Sequence, residues 1–73
     1  MDQIKIILTE IRKRILQSDF NTEEYIKSVR SELESMGFAR EAGRLEQQAG
    51  VFEFDHAMET LKEILKKLDL VIE

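Results

Sequence analysis

An all-α fold, a small up-and-down antiparallel four-helix bundle, is predicted by three observations on the sequence. Apolar residues recur with a helical period in four separate stretches. Helix start and stop signals stand between them, at Asn21, Gly37 and Gly50. The connections are about two to five residues long, which makes sequence neighbours antiparallel. The chain of 73 residues is expected to form a single domain, 1–73, with helices at about 2–17, 22–36, 39–49 and 54–70.

In the first helix Ile4, Ile7, Leu8, Ile11 and Ile15 lie on one stripe. Its isoleucines would also suit a strand, but strict alternation fails at Ile6-Ile7-Leu8 and through Arg12–Arg14. Ile6 and Leu16 lie off the stripe and widen the expected buried face. Asn21 and Glu24 have the spacing of a capping box, and Phe20 and Tyr25 that of a hydrophobic staple, so a second helix is expected to start here. Its inward positions are Tyr25, Ile26, Val29, Leu33 and Met36. Gly37 stands where a left-handed residue ends a helix, and Phe38 is placed to fold back on Leu33 in a Schellman closure. The third helix directs Ala42, Leu45 and Ala49 inward. Gly43 in its interior costs about 1 kcal/mol relative to alanine, which close approach of another helix would explain. Gly50 is expected to end this helix as Gly37 ends the second. Phe54, Ala57, Met58, Leu61, Ile64, Leu65 and Leu68 make the stripe of the fourth helix. Asp55 in its first turn and Lys66 and Lys67 in its last complement the helix dipole. The four phenylalanines, Phe20, Phe38, Phe52 and Phe54, sit at helix junctions and are expected to close the ends of the core.

Composition removes several classes of function. There is no cysteine, hence no disulfide framework and no thiolate metal site. No apolar run approaches the roughly 18 residues of a membrane span, and the pattern of a signal peptide is missing. Membrane lipids are therefore not expected as partners, and the expected compartment is cytoplasmic. The net charge is −4, the wrong sign for a nucleic-acid binder, so DNA and RNA are disfavoured. The one basic cluster, Arg12, Lys13 and Arg14, reads as a solvated helix face or, less readily, a patch for an acidic protein surface.

Catalysis requires groups that converge, and the inventory is poor. His56, the only histidine, falls in the first turn of the last helix beside Asp55. It reads as an exposed first-turn side chain, with phosphorylation or metal binding as the sharper alternative. No Glu-x-x-His pair, Gly-rich phosphate loop or Gly-x-Ser-x-Gly elbow occurs. Glu32, Glu34, Glu41 and Glu46 are assigned to solvated helix faces. No catalytic residue, metal ligand or cofactor is expected.

The segment Phe52-Glu53-Phe54-Asp55-His56-Ala57, followed by Leu61, Leu65 and Leu68, resembles a turn and helix found in degenerate histidine-phosphotransfer (HPt)-like domains. Such domains close many bacterial hybrid sensor kinases. The family's His-x-Leu-Lys-Gly motif, with a loop glycine about ten residues on, falls on Lys27-Ser28-Val29-Arg30-Ser31 when that glycine is set on Gly37. Val29 keeps the apolar position, Arg30 the basic one and Ser31 a small one, while Lys27 replaces the phosphoryl-accepting histidine. A lysine ammonium is protonated near pH 7 and offers no nucleophile to an aspartyl phosphate. The resemblance therefore implies an HPt-like frame without phosphotransfer. Its docking face would comprise Lys27, Arg30 and Ser31, and its partners would be response-regulator receiver or histidine-kinase domains.

Three functional readings follow. The first is a non-catalytic signalling and docking module of a two-component protein, a C-terminal region of a longer chain. The second is a stand-alone helical adaptor or homodimer whose interface would draw on Ile6, Leu16, Val71 and Ile72. The third, an active phosphotransfer domain using His56, is weakened because the family's histidine sits mid-helix and Glu59 occupies the place of the basic residue.

Overall fold

The computed structural model describes residues 3–69. They form α1 (Gln3–Leu16), α2 (Thr22–Ser35), α3 (Ala39–Gly50) and α4 (Phe54–Leu68). This is the expected all-α four-helix bundle, 29 × 24 × 17 Å along its principal axes. Round the bundle, α1 packs on α2 and α4, and α3 packs on the same two helices. The contacts of α3 are the more extensive. The small inward residues of α3, Ala42 and Ala49, allow its neighbours to approach closely. Boundaries differ from the sequence reading by one residue at the ends of α1, α2 and α3. α4 ends at Leu68, short of the expected residue 70, because Asp69 is already left-handed (φ 56°) and closes the helix; residue 70 itself lies outside the described residues. Among the described residues, no helix is long and apolar enough to cross a membrane.

The core follows the four stripes. Ile7, Leu8, Ile11 and Ile15 of α1 meet Ile26 and Leu33 of α2, Ala42, Leu45 and Ala49 of α3, and Ala57, Leu61 and Ile64 of α4. Ile4, Tyr25, Val29, Phe54, Met58, Leu65 and Leu68 pack against this cluster while half-buried. Ile6 and Leu16 are exposed, so the buried face of α1 is not widened. Met36 is also exposed, because α2 has already ended and the chain is turning away from the axis.

All three reversals of direction use one device. At the end of α2, Gly37 has φ +90°. Its N–H donates to the Glu34 carbonyl at 3.0 Å and that of Phe38 to Leu33 at 2.9 Å. This is the expected Schellman closure, with Phe38 buried beside Leu33. The same pair of bonds closes α1, from Ser18 to Ile15 and from Asp19 to Arg14, each at 3.0 Å. It also closes α3, from Phe52 to Ala49 at 3.1 Å and from Glu53 to Gln48 at 2.8 Å. The left-handed residue is therefore Ser18 (φ 51°), Gly37 or Phe52 (φ 62°).

Gly50 consequently does not play the part of Gly37. It is the last helical residue of α3, and a Cβ there would lie 2.7 Å from the Glu23 Oε2 of α2. The Glu23 carboxylate lies over it, and a side chain at Gly50 would require that carboxylate to move aside. Gly43, expected at a close approach of another helix, instead faces the Arg30 guanidinium, where a Cβ would make an ordinary contact at 3.5 Å.

The start of α2 also differs from expectation. Asn21 has φ −91° and ψ 7° and makes no side-chain capping bond. Its backbone is outside the extended region from which a cap side chain reaches the first-turn amides. Asp19 takes over: its Oδ1 accepts from the Asn21 N–H at 2.8 Å, and its carbonyl accepts from the Thr22 hydroxyl at 2.6 Å. Thr22 is fully buried and satisfied by that bond. The staple is absent too. Phe20 turns outward, and Tyr25 packs under the Arg14 guanidinium, 4.7 Å from its ring centroid.

Ser18 is exposed and holds a strained dihedral that glycine adopts freely. Replacing it, Ser18→Gly, is expected to raise stability by about 0.5–1 kcal/mol, the left-handed penalty less the added unfolded-state entropy. Thermal denaturation followed by circular dichroism should show a Tm higher by a few degrees, about 4 °C.

Candidate functional site

Two surfaces carry the residues that chemistry would use. The first is the outer face of α2. Lys27 is exposed at mid-helix, and its Nζ is 3.9 Å from Glu23 Oε2. Arg30 is less available than the sequence suggested. Its Nη1 donates to Glu46 Oε1 on α3 at 2.9 Å and its Nε to Glu34 Oε2 at 3.0 Å. These bonds, to Glu46 first and Glu34 second, hold the guanidinium still more firmly protonated than usual. Ser31 is exposed, and its hydroxyl donates to Glu32 Oε1 at 3.2 Å. The structure thus brings the three predicted docking residues to one face, but ties both cations to carboxylates. The basic cluster of α1 is similarly engaged at Arg14, which donates to Glu10 at 2.9 Å and to Asp19 at 3.4 Å.

The second surface is the end of the bundle where the α1–α2 and α3–α4 turns meet. The Phe20 and Phe52 rings are 5.1 Å apart at 58°, and those of Phe52 and Phe54 are 6.2 Å apart at 45°. Of the four phenylalanines expected to close the core, only Phe38 is buried, and Phe54 is half-buried. Phe20 and Phe52 are 76% and 56% exposed. The left-handed turn at Phe52 directs its ring away from the axis. Beside the rings lies an open groove of about 350 Å³ lined by Ser18, Phe52, Glu53, Phe54, Asp55 and His56. His56 is exposed, with Nδ1 3.3 Å from Glu53 Oε1. Among the described residues, no group of three or more His, Asp or Glu side chains is placed to hold a metal ion.

A third polar feature sits between helices. Glu41, assigned above to a solvated face, is 5% exposed and ion-paired with Lys67 of α4. It lies four residues before Leu45, on the edge of the inward stripe of α3. That periodicity was the available signal. The hydrogen bond from Lys67, reinforced by its own backbone N–H, holds the Glu41 carboxyl below the usual glutamate range. Nearby, the buried Thr60 hydroxyl is 2.8 Å from the Gln48 side-chain amide and 3.2 Å from the His56 carbonyl.

The depressed Glu41 value has a definite sign. Folding favours the ionised form, so its contribution is complete above the unfolded-state value of about 4.3 and disappears as pH falls through the lower folded-state value. Glu41→Gln is expected to flatten the acid limb of a stability–pH profile below about pH 5. Urea denaturation at successive pH values measures that slope. An unchanged slope would place the acid sensitivity elsewhere.

Compared with family models, curated proteins and solved structures, the chain finds no match in any of the three.

Proposed function

We propose that this domain is a non-catalytic docking module of a two-component signalling protein, built like a phosphotransfer domain but unable to carry phosphate. The observation that carries this reading is Lys27, exposed at the middle of α2 on a four-helix bundle, one turn before Arg30. In the resemblance drawn from sequence, that is the place of the acceptor histidine. The position is accessible to a receiver domain, yet an ammonium group cannot accept a phosphoryl group from an aspartyl phosphate at neutral pH. The lone histidine offers no substitute. His56 is in the first turn of α4, at the end of the bundle rather than on a mid-helix face, and interacts with Glu53. The proposed partner is a response-regulator receiver or histidine-kinase domain. Arg30 is held by Glu46 and Glu34 at 2.9 and 3.0 Å, while Lys27 meets Glu23 only at 3.9 Å. Lys27 would therefore supply most of the charge attraction, and that attraction would act chiefly on the association rate.

A binding and transfer assay tests this reading. Candidate receiver domains, phosphorylated with labelled phosphate, are mixed with the isolated domain. A complex weakened by Lys27→Glu, with no label on the domain, is expected. Label appearing on the chain, or binding indifferent to Lys27, would overturn the proposal. The adaptor or homodimer reading draws on Ile6 and Leu16, which are 65% and 61% exposed. The other two residues invoked for it, Val71 and Ile72, lie outside the described residues.

A further inference from the structure

We propose that the aromatic end of the bundle docks a cationic amphipathic segment of a partner protein, its apolar face on Phe20, Phe52 and Phe54 and its charges on Glu53 and Asp55. This site is separate from the α2 face and does not depend on the two-component reading.

Three observations converge on it. Phe20 and Phe52 form an aromatic pair held mainly outside the core, where exposed rings contribute most when a partner removes them from water. Phe52 also occupies the left-handed turn position that Gly37 fills in the neighbouring reversal. Glycine would relieve that backbone strain, so Phe52 holds its ring in the turn at a local cost in stability. The third observation is charge. Glu10, Glu23, Glu34, Glu41, Glu46 and Glu63 are each paired with a lysine or arginine of the chain. Asp55 has no cation partner among the described residues, and Glu53 has only His56. Glu24, Glu32 and Glu59 are unpaired among them as well, and what distinguishes Glu53 and Asp55 is their place in the groove beside the exposed rings. An open groove of about 350 Å³ with Phe52 and Phe54 beside the carboxylates of Glu53 and Asp55 selects an occupant that is apolar on one side and positive at its edge. A second copy of this chain fits poorly. A two-fold contact would oppose the same acidic rim to itself in a protein of net charge −4.

The test is a heteronuclear NMR titration of the whole chain with a synthetic helix-forming peptide of Leu and Lys at amphipathic spacing. A Leu and Glu peptide of the same pattern serves as control. Shifts centred on Phe20 and on Phe52–His56 are expected. Binding should weaken at least about tenfold in Phe52→Gly, whose Tm should stay within about 4 °C of the parent's or rise. Phe20→Ala should weaken binding similarly and provides the same readout if Phe52→Gly does not fold. Equal binding of the Leu and Glu peptide, affinity unchanged in both variants, shifts centred on Lys27, or no binding would overturn the proposal. So would concentration-dependent shifts of the Phe20 and Phe52 signals without peptide, which would identify a second copy as the occupant.

Discussion

Leu45→Ala is expected to cost about 3 kcal/mol, within the roughly 2–5 kcal/mol range for a buried leucine truncated to alanine. Leu45 is fully buried and is the one large apolar side chain on the inward stripe of α3. Its companions Ala42 and Ala49 are too small to close around the space it would leave. α3 lies between α2 and α4, so the cavity would loosen both of its contacts. A chain of 73 residues has about 4–11 kcal/mol of stability in all, so the variant should sit near the edge of folding. In urea, with a slope of about 1 kcal/mol/M, the midpoint should fall by about 3 M. Leu45→Met preserves most of the volume and should lose less than about 1.5 kcal/mol. Equal losses in the two variants would show that volume at this position is not what matters.

Gly37→Ala is expected to cost about 1–2 kcal/mol, and the cause can be isolated. A Cβ at Gly37 would meet nothing within 4 Å, so no steric clash with neighbours contributes. What changes is the backbone: φ of +90° is open to glycine and unfavourable to an L-residue. The closure that seats Phe38 against Leu33 depends on that dihedral. Gly37→Asn should lose less, since asparagine tolerates left-handed conformations better. The ordering Gly, Asn, Ala in thermal denaturation checks the argument. If alanine matched glycine, the turn would not depend on its dihedral.

These two variants also indicate what was readable in advance. The stripes of α3 and α4 and the Gly37 closure were legible because helical periodicity and left-handed glycine are local signals. The start of α2 was not. Asn21 and Glu24 have cap spacing, but the turn ending α1 had already placed Asp19 to accept from the Asn21 amide. A competing local hydrogen bond won. Gly50 misled for a related reason. Taken as a stop signal, it concealed that the chain continues to Phe52 before turning left-handed, and that the Glu23 carboxylate of α2 lies over Gly50. Glu41 was missed because residue type suggested solvent, while its partner, Lys67, is 26 residues away. Of the candidate site residues, Lys27, Arg30 and Ser31 do share a face. Their pairing with Glu23, Glu46 and Glu34 rests partly on contacts between helices that sequence spacing does not reveal.

The three like reversals bear on how the chain reaches its fold. Each joins consecutive helices through five residues or fewer, so three of the four helix interfaces form between segments already close along the chain. Only the pairing of α1 with α4 must bring distant segments together. Low contact order of this kind belongs to domains that fold in microseconds to milliseconds. The absence of proline removes the isomerisation that most often adds a slow phase. Assembly is then expected to proceed hairpin by hairpin, with closure of the ring by α1 and α4 as its last and most entropically costly step.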